Sequence, residues 1–409
     1  MALIVQKFGG SSVANPECIR RVAGRVLEMK KKGNNVVVIV SAMGDTTDNL
    51  IILAHQITPD PSDREMDMLM STGEQVSVAL LAMALHTMGA NAVSLTGPQA
   101  GICTDSMHRK AKILGINSSR VMKHIRQGHI VIVAGFQGLT PSQDIATFGR
   151  GGSDTTAVAL AASLKADKCQ IFTDVEGVYS ADPRIVKNAR KLDEIAYDEM
   201  LDLASLGAKV LMSRSVEFAK RYGVKLEVLS SFTNKPGTIV KEEVKSMEDV
   251  IVRGVSADTD QVKVTLEGVP DRPGEAARIF KELAGASINI DMIIQNISAC
   301  GQTDISFSVP REDLVKTKKL MKSVSKAIDF KSINVDEDIA KISIVGIGMR
   351  GHSGVAFQMF NALAGKNINI LMISTSEIKI SVIIRKKYAK LAIKTLHKAF
   401  NLHKKSKKK

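Results

Sequence analysis

The sequence predicts an α/β fold with a mostly parallel sheet covered on both faces, followed by two smaller α+β repeats. Short apolar, β-branched runs alternate with helical periodicities over the first 240 residues, the pattern of strands buried between crossover helices. Polar, glycine-containing segments follow several of those runs. Beyond residue 260 a long stretch recurs at an offset of 80 positions. At 409 residues the chain exceeds one ordinary domain, and its 44% hydrophobic content suffices for buried cores.

The first strand, Leu3-Ile4-Val5, runs into Lys7-Phe8-Gly9-Gly10-Ser11-Ser12, a glycine loop with a lysine at its mouth. Ile19, Val22, Val26 and Met29 then recur at helical spacing among Arg and Lys, and Gly33 ends that helix. Val36–Val40 is a fully apolar strand that leads into Ser41-Ala42-Met43-Gly44-Asp45-Thr46-Thr47. Arg64 to Met88 reads as helix, with a polar interruption at Ser71-Thr72-Gly73-Glu74. The uncharged span Gln75–Thr104 is broken by His86, Thr87, Asn91 and Gly97-Pro98, too early for a membrane helix. Ala92–Leu95 and Ile130–Val133 are further strands.

Thr147 to Ala157 reads T-F-G-R-G-G-S-D-T-T-A. Its glycines let the backbone turn tightly and approach a ligand. Arg150 offers a fork for a carboxylate or phosphate, and Ser153-Asp154 opens an apolar helix. Strand, glycine loop and helix N-terminus together suit an anion, because free N–H groups and the helix dipole point at it. A tight turn capping a core helix would have the same composition. Gln170-Ile171-Phe172 leads into Thr173-Asp174-Val175-Glu176-Gly177-Val178-Tyr179. Apart from Glu74, these polar motifs all fall at or just after strand ends, where parallel α/β sheets bind ligands.

Lys241 to Ser246 is charged and aperiodic, so residues 241–260 are expected as a linker after a first domain over 1–240. In the repeat, Gly274 pairs with Gly354, Phe280 with Phe360, Leu283-Ala284-Gly285 with Leu363-Ala364-Gly365, and Ile288-Asn289-Ile290 with Ile368-Asn369-Ile370. Each copy, 261–338 and 339–409, reads as a β-α-β-β-α-β unit.

Charge and cysteines narrow the function. The formal charge is +14, but residues 385–409 hold eleven Lys or Arg and no acid, which leaves +3 for the rest. A basic end of this kind is expected to be solvated, not a nucleic-acid site. Cys18, Cys103, Cys169 and Cys300 lack paired spacing, so neither a disulfide framework nor a zinc site is expected, and the cytoplasm fits. The N-terminus lacks a signal-peptide layout. The eight histidines show no metal-ligand spacing, and no metal held by the protein alone is predicted. Two glycine loops bearing Lys7 and Arg150, with Asp154, Asp174 and Asp182, suit phosphoryl transfer, which needs cations and positioning more than a protein nucleophile. No Walker A motif is present; Gly365-Lys366 is followed by Asn367 and lies after a helix.

With Lys7–Ser12, Ser41–Gly44, Gly73-Glu74 and Gly149–Asp154 in order, the chain resembles the bacterial aspartate kinases. Thr173–Tyr179, Ala181-Asp182-Pro183-Arg184, Gly207-Ala208-Lys209 and the paired repeats, which look like ACT domains, extend the resemblance over essentially the whole chain. It implies a three-layer α/β/α kinase domain followed by two ferredoxin-like ACT domains. The implied reaction phosphorylates the β-carboxylate of L-aspartate with ATP, magnesium travelling with the nucleotide. That step begins the route to lysine, threonine, methionine and diaminopimelate.

Carried onto this chain, the resemblance makes Lys7 and Asp154 catalytic. It puts Thr47, Glu74, Arg150, Gly151, Gly152 and Ser153 on aspartate. Lys7, Phe8, Gly9, Gly10, Ser41, Ser153, Thr173, Asp174, Tyr179, Asp182, Arg184 and Lys209 face the nucleotide. A feedback amino acid, lysine or threonine or both, is implied at Asp271, Gly274, Glu275, Ala276, Asn289, Ile290, Asp291 and Gln295. Gly354, Val355, Asn369, Ile370, Ser376 and Glu377 supply the facing half. The same segments could instead build only dimer cores.

His352-Ser353 replaces Arg272-Pro273, and Leu371 replaces Asp291, so the two copies should differ in ligand affinity. A homodimer or higher oligomer through the ACT domains is implied, with a possible separate small subunit beginning at Met247. A kinase of another small acid, a non-catalytic amino-acid sensor and a basic nucleic-acid binder are the alternatives.

Overall fold

A computed structural model describes residues 1–149, 151–206, 210–243, 251–297, 301–325 and 328–404. The chain forms two units. One comprises Met1–Tyr179, Lys191–Ser205 and Lys209–Lys245; the other comprises Ser180–Arg190, Leu206–Ala208 and Ser246–Lys409.

The first unit begins with β1 (Leu3–Phe8), α1 (Pro16–Lys31), β2 (Asn35–Val40), α2 (Thr46–Ile57), α3 (Asp63–Thr87) and β3 (Ala92–Leu95). Next come β4 (Ile102–Thr104), β5 (Ile113–Ile116), α4 (Ser119–Arg126), β6 (Ile130–Ala134), β7 (Gln137–Leu139) and β8 (Ile145–Thr147). It closes with α5 (Gly152–Ser163), β9 (Lys168–Thr173), β10 (Glu194–Ala196), α6 (Tyr197–Ser205), α7 (Ser213–Tyr222), β11 (Leu226–Ser230) and β12 (Thr238–Lys241).

Eight strands form the main sheet in the order β10-β12-β11-β9-β1-β2-β6-β3, parallel except where β11 meets β12. Strand alternation divides β1 between two layers. Phe8 joins the core formed with Val36, Val38 and Val40, against Ile19 and Val22 of α1 and Leu81 and Leu85 of α3. Lys7 faces the other way, towards α5, whose residues Gly152 to Ala161 are all buried. The result is the expected three-layer α/β/α arrangement. A small sheet, β5-β4-β7-β8, lies beside it in the sequence between β3 and α5.

One local expectation changes. The helix over Arg64–Met88 is continuous through Ser71–Glu74, as α3. Its glycine is there for packing: a Cβ on Gly73 would lie 2.8 Å from the Ala42 Cβ. A larger residue would push α3 off the loop that follows β2.

The second unit contains β13 (Gly254–Asp258), β14 (Gln261–Pro270), α8 (Glu275–Gly285), β15 (Ile293–Ile297), β16 (Gln302–Pro310), α9 (Leu314–Val324) and β17 (Ser332–Asp336). It continues through β18 (Ile339–Val345), α10 (Val355–Ala364), β19 (Met372–Thr375), β20 (Lys379–Arg385) and α11 (Ala389–Ala399). The first repeat closes its own antiparallel sheet, β15-β16-β14-β17. The second does not. Its sheet is β13-β18-β20-β19, with Gly254 opposite Val345 and Asp258 opposite Lys341. Residues 254–258, expected in the linker, therefore supply the strand that the second repeat lacks.

The expected boundary at 240 also shifts for one excursion. Ser180–Arg190 belongs to the second unit, where Ala181 and Val186 are buried with Val255, Ile342, Met359, Ile393 and Leu396. Ser180 Oγ lies 3.1 Å from His397 Nε2, and the Val255 amide donates to the Ser180 carbonyl at 2.9 Å. The Met247 start and Lys405–Lys409 lie outside the described residues.

Candidate active site

Parallel register brings four strand ends level. Lys7 is opposite Ile39 and Ile171, Phe8 is opposite Val40 and Phe172, and Val40 is opposite Ala134. The loops leaving these strands then bond to one another. The Ser41 amide donates to the Phe8 carbonyl at 3.1 Å, the Gly135 amide to the Val40 carbonyl at 3.1 Å, and the Gly44 amide to the Gly10 carbonyl at 3.1 Å.

On the α5 side of this row, Lys7 Nζ lies 2.6 Å from Asp154 Oδ1, with side chains only 13% and 8% exposed. Such burial strengthens the attraction and keeps the ammonium aimed at one place. Asp154 sits in the first turn of α5, where an acid also complements the helix dipole. Gly151 caps this helix at φ +69°, and a Cβ there would fall 1.6 Å from Met212 Cγ. The turn thus requires glycine for both conformation and space. Ser153 is buried against the end of β6: a Cβ on Gly135 would come within 2.6 Å of Ser153 Oγ.

Glu74 is 3% exposed. Its Oε1 accepts from the Ala42 amide at 3.1 Å, while Oε2 is buried and has no hydrogen-bond partner. Burial pushes the carboxyl up to about 7, opposed by the Ala42 amide. A buried carboxylate with one open oxygen is suited to a cation. Sequence spacing could not supply this, because the burial comes from α3 packing on the loop after β2. Thr47 lies in the first turn of α2, a helix with no fully buried residue.

The other predicted positions divide. Gly9, Gly10 and Ser41 lie in the strand-end loops, and Thr173 follows at the end of β9 with its hydroxyl donating to Asp174 at 3.0 Å. Phe8 was expected to line a nucleotide pocket with Gly9 and Gly10. Its side chain is fully buried and stacks on Phe172 with ring centroids 4.5 Å apart. The Tyr179 hydroxyl is pushed up by burial and then by Glu176. Asp182 and Arg184 belong to the second unit and bond each other, with Arg184 Nη2 donating to Asp182 at 2.9 Å. That bond holds the Asp182 carboxyl below its ordinary value. Arg150 and Lys209 lie outside the described residues.

Asp67 was missed by sequence reasoning. It is fully buried on α3 and bonds His108, Arg109 and Thr147. Its position seven residues before Glu74, two turns along one helix face, was the available signal. Among the described residues no group of His, Cys, Asp or Glu could hold a metal by itself.

In the second unit, Asp271, Gly274, Glu275, Ala276 and Gln295 line a cavity of about 350 Å³ beside the N-terminus of α8. Asn289, Ile290 and Asp291 are not among its walls, and Asp291 pairs with the buried Lys341 ammonium. Gly354 and Val355 form the corresponding start of α10. Ile370 packs on the second repeat's core, and the Ser376 amide donates to the Lys379 carbonyl at 2.8 Å. Neither these positions nor Asn369 and Glu377 line the cavity.

Residues 2–230 match the amino acid kinase family, and residues 263–323 and 342–400 match the ACT domain. An aspartokinase of Geobacillus stearothermophilus is 54% identical over 402 residues, covering 98% of each chain. The solved structure of E. coli aspartokinase III with aspartate and ADP, in the R-state, is similar at a TM-score of 0.85 and 25% identity, over 97% of this chain and 99% of that one. The same enzyme with lysine and aspartate, in the T-state, gives a TM-score of 0.74 at 25% identity over the same shares. With both halves matched and the whole length shared with a curated relative, this chain belongs to the aspartokinases, amino acid kinases that carry C-terminal ACT domains.

Proposed function

We propose that the aspartate kinase activity of this chain transfers the γ-phosphoryl group of ATP to the β-carboxylate of L-aspartate, giving 4-phospho-L-aspartate and ADP. The observation that carries this reading is the Lys7–Asp154 pair, 2.6 Å apart at the level strand ends. A carboxylate is already a nucleophile at neutral pH, so no general base is needed. The barrier lies in bringing two anions together, and a fixed, poorly solvated ammonium lowers it directly. Asp154 orients Lys7, and the Gly9-Gly10 backbone and Ser41 line the phosphates of the magnesium-bearing nucleotide. Thr173, Asp174, Tyr179 and Lys209 contact its nucleoside side.

For the amino acid, Glu74 takes the ammonium on its open Oε2 and Arg150 takes a carboxylate. Thr47, Gly151, Gly152 and Ser153 complete that pocket. The product enters the route to lysine, threonine, methionine and diaminopimelate. An end-product amino acid binds the ACT half at the Asp271–Ala276 and Gln295 cavity and lowers activity, in an enzyme that is a cytoplasmic homodimer or higher oligomer. The lysine-bound T-state of E. coli aspartokinase III supports that direction. A second product beginning at Met247 is part of the same proposal.

The test is an assay with ATP, aspartate and hydroxylamine, which traps the acyl phosphate as hydroxamate. Hydroxamate is expected from aspartate, and Lys7→Ala should lower kcat by at least about 10²-fold. Product from another acid and none from aspartate would refute the substrate. Adding lysine, threonine and both together identifies the effector.

A further inference from the structure

The loop that precedes α5 turns on Gly149 and Gly151, both at positive φ. The structure supplies a support from two other elements. Asp67, in the buried face of α3, is 0% exposed, and both of its carboxylate oxygens accept hydrogen bonds. Its Oδ2 accepts from the Thr147 amide at 3.1 Å, the Arg109 amide at 2.9 Å and His108 Nδ1 at 2.9 Å, and its Oδ1 accepts from the Thr147 hydroxyl at 2.5 Å.

These partners tie two chain segments together. Thr147 ends β8 and is followed by Phe148 and Gly149. His108 and Arg109 belong to the segment between β4 and β5, and the Ala111 amide there donates to the Thr147 carbonyl at 3.0 Å. Arg109 takes φ +63°, a conformation unfavourable for a residue with a side chain. It is retained where Asp67 holds its amide, and there the Arg109 carbonyl lies within 3.0 Å of where a Gly149 Cβ would stand. The 108–111 segment is therefore a wall against which the Gly149 turn rests.

A fully buried carboxylate is costly unless it is hydrogen-bonded, and here four donors engage it, three on Oδ2 and one on Oδ1. Such an arrangement fixes geometry more than it adds stability.

We propose that Asp67 is a positioning residue for aspartate: through Thr147 and the His108–Arg109 segment it sets Gly149 and, beyond it, Gly151–Ser153 at the start of α5, assigned above to the amino-acid substrate. The inference rests on the assignment of that turn to aspartate. Asp67 touches no reacting atom. Its effect should appear in the aspartate KM and leave the ATP KM alone, since the phosphate loop around Gly9 and Gly10 does not contact it.

The kinetic test uses the full chain. Asp67→Ala should raise the aspartate KM about ten- to a hundredfold, the scale for a substrate group displaced by about an ångström, with the ATP KM unchanged. Asp67→Asn can keep one oxygen on the three N–H donors and turn its amide towards the Thr147 hydroxyl, so it should restore a near-normal aspartate KM. Thr147→Val and His108→Ala, milder changes that serve if Asp67→Ala does not fold, should each raise the aspartate KM selectively. Hydrogen exchange at the Arg109 and Thr147 amides should quicken in Asp67→Ala.

Equal rises in both KM values, or lowered thermal stability with both KM values normal, would overturn the proposal. If the parent enzyme makes no hydroxamate from aspartate, the assignment of the site fails instead, which separates the two conclusions.

Discussion

Replacing Glu74 with glutamine removes a buried charge and keeps an oxygen for the Ala42 amide that now bonds Oε1. The magnitude follows from the environment of the side chain. In the unfolded chain the carboxyl titrates near its ordinary 4.5, whereas in the folded protein burial raises it to about 7. Between those values the folded state keeps a proton that the unfolded state has lost, so stability falls as pH rises. The contribution is fully present below the unfolded value and is lost through the folded one. The gap corresponds to about 3 kcal/mol.

Glutamine has no such dependence. Relative to the parent, Glu74→Gln should gain about 3 kcal/mol between pH 4.5 and pH 8, whatever constant offset the amide introduces. Aspartate should reverse the comparison. Its ammonium favours the ionised carboxylate, so the parent should bind aspartate more weakly as pH drops below about 7, while the variant binds weakly at every pH. Urea unfolding followed by circular dichroism across this range, with and without aspartate, measures both effects. Parallel pH profiles for the two proteins would refute the reasoning, since they would mean that Glu74 titrates as an ordinary surface acid.

Gly151→Ala should destabilise the first unit by about 1–3 kcal/mol, because the φ of +69° disfavours a side chain and Met212 occupies its space; a Tm within a degree of the parent would contradict this. His397 is 2% exposed and pushed down to about 4, by burial and then by His403. It stays neutral in the folded state while the unfolded chain protonates near 6.5, so stability should be lost as pH falls from 6.5 towards 4. His397→Phe should flatten that limb, and an unchanged acid limb would exclude the histidine as its source. Gln295→Ala alters a wall of the second-unit cavity and should weaken inhibition by the effector at least about fivefold with the uninhibited rate preserved. Inhibition curves that superimpose would rule the cavity out as the effector site.

Much of this architecture was legible in the residues. Val36–Val40 and Ile130–Val133 could hardly be anything but strands buried on both faces, and the 80-residue repeat alone specifies two related units. The placement of Lys7, Gly9 and Gly10 at the end of a strand, and of Ser153 and Asp154 at the start of a helix, was also within reach, because an apolar run followed by glycines marks such a transition. These signals are local: a period, a glycine turn, a polar residue after an apolar run.

Tertiary structure alone decided which of these residues meet and how far they are buried. Parallel register put Lys7 against Asp154, 147 positions later in the chain, and sent Phe8 into the opposite layer. Packing of α3 on the loop after β2 raised the Glu74 carboxyl, while the same helix put Asp67 against Thr147 at the base of the glycine turn. The swap of β13 into the second repeat's sheet was equally invisible, since the charge and turn pattern around residues 241–260 is the same whether the next strand pairs with its neighbour or with β18. Propensity and periodicity depend on a few neighbouring residues. Burial, pKa and strand partnership depend on which distant surfaces remain to be covered, and only the folded chain determines that.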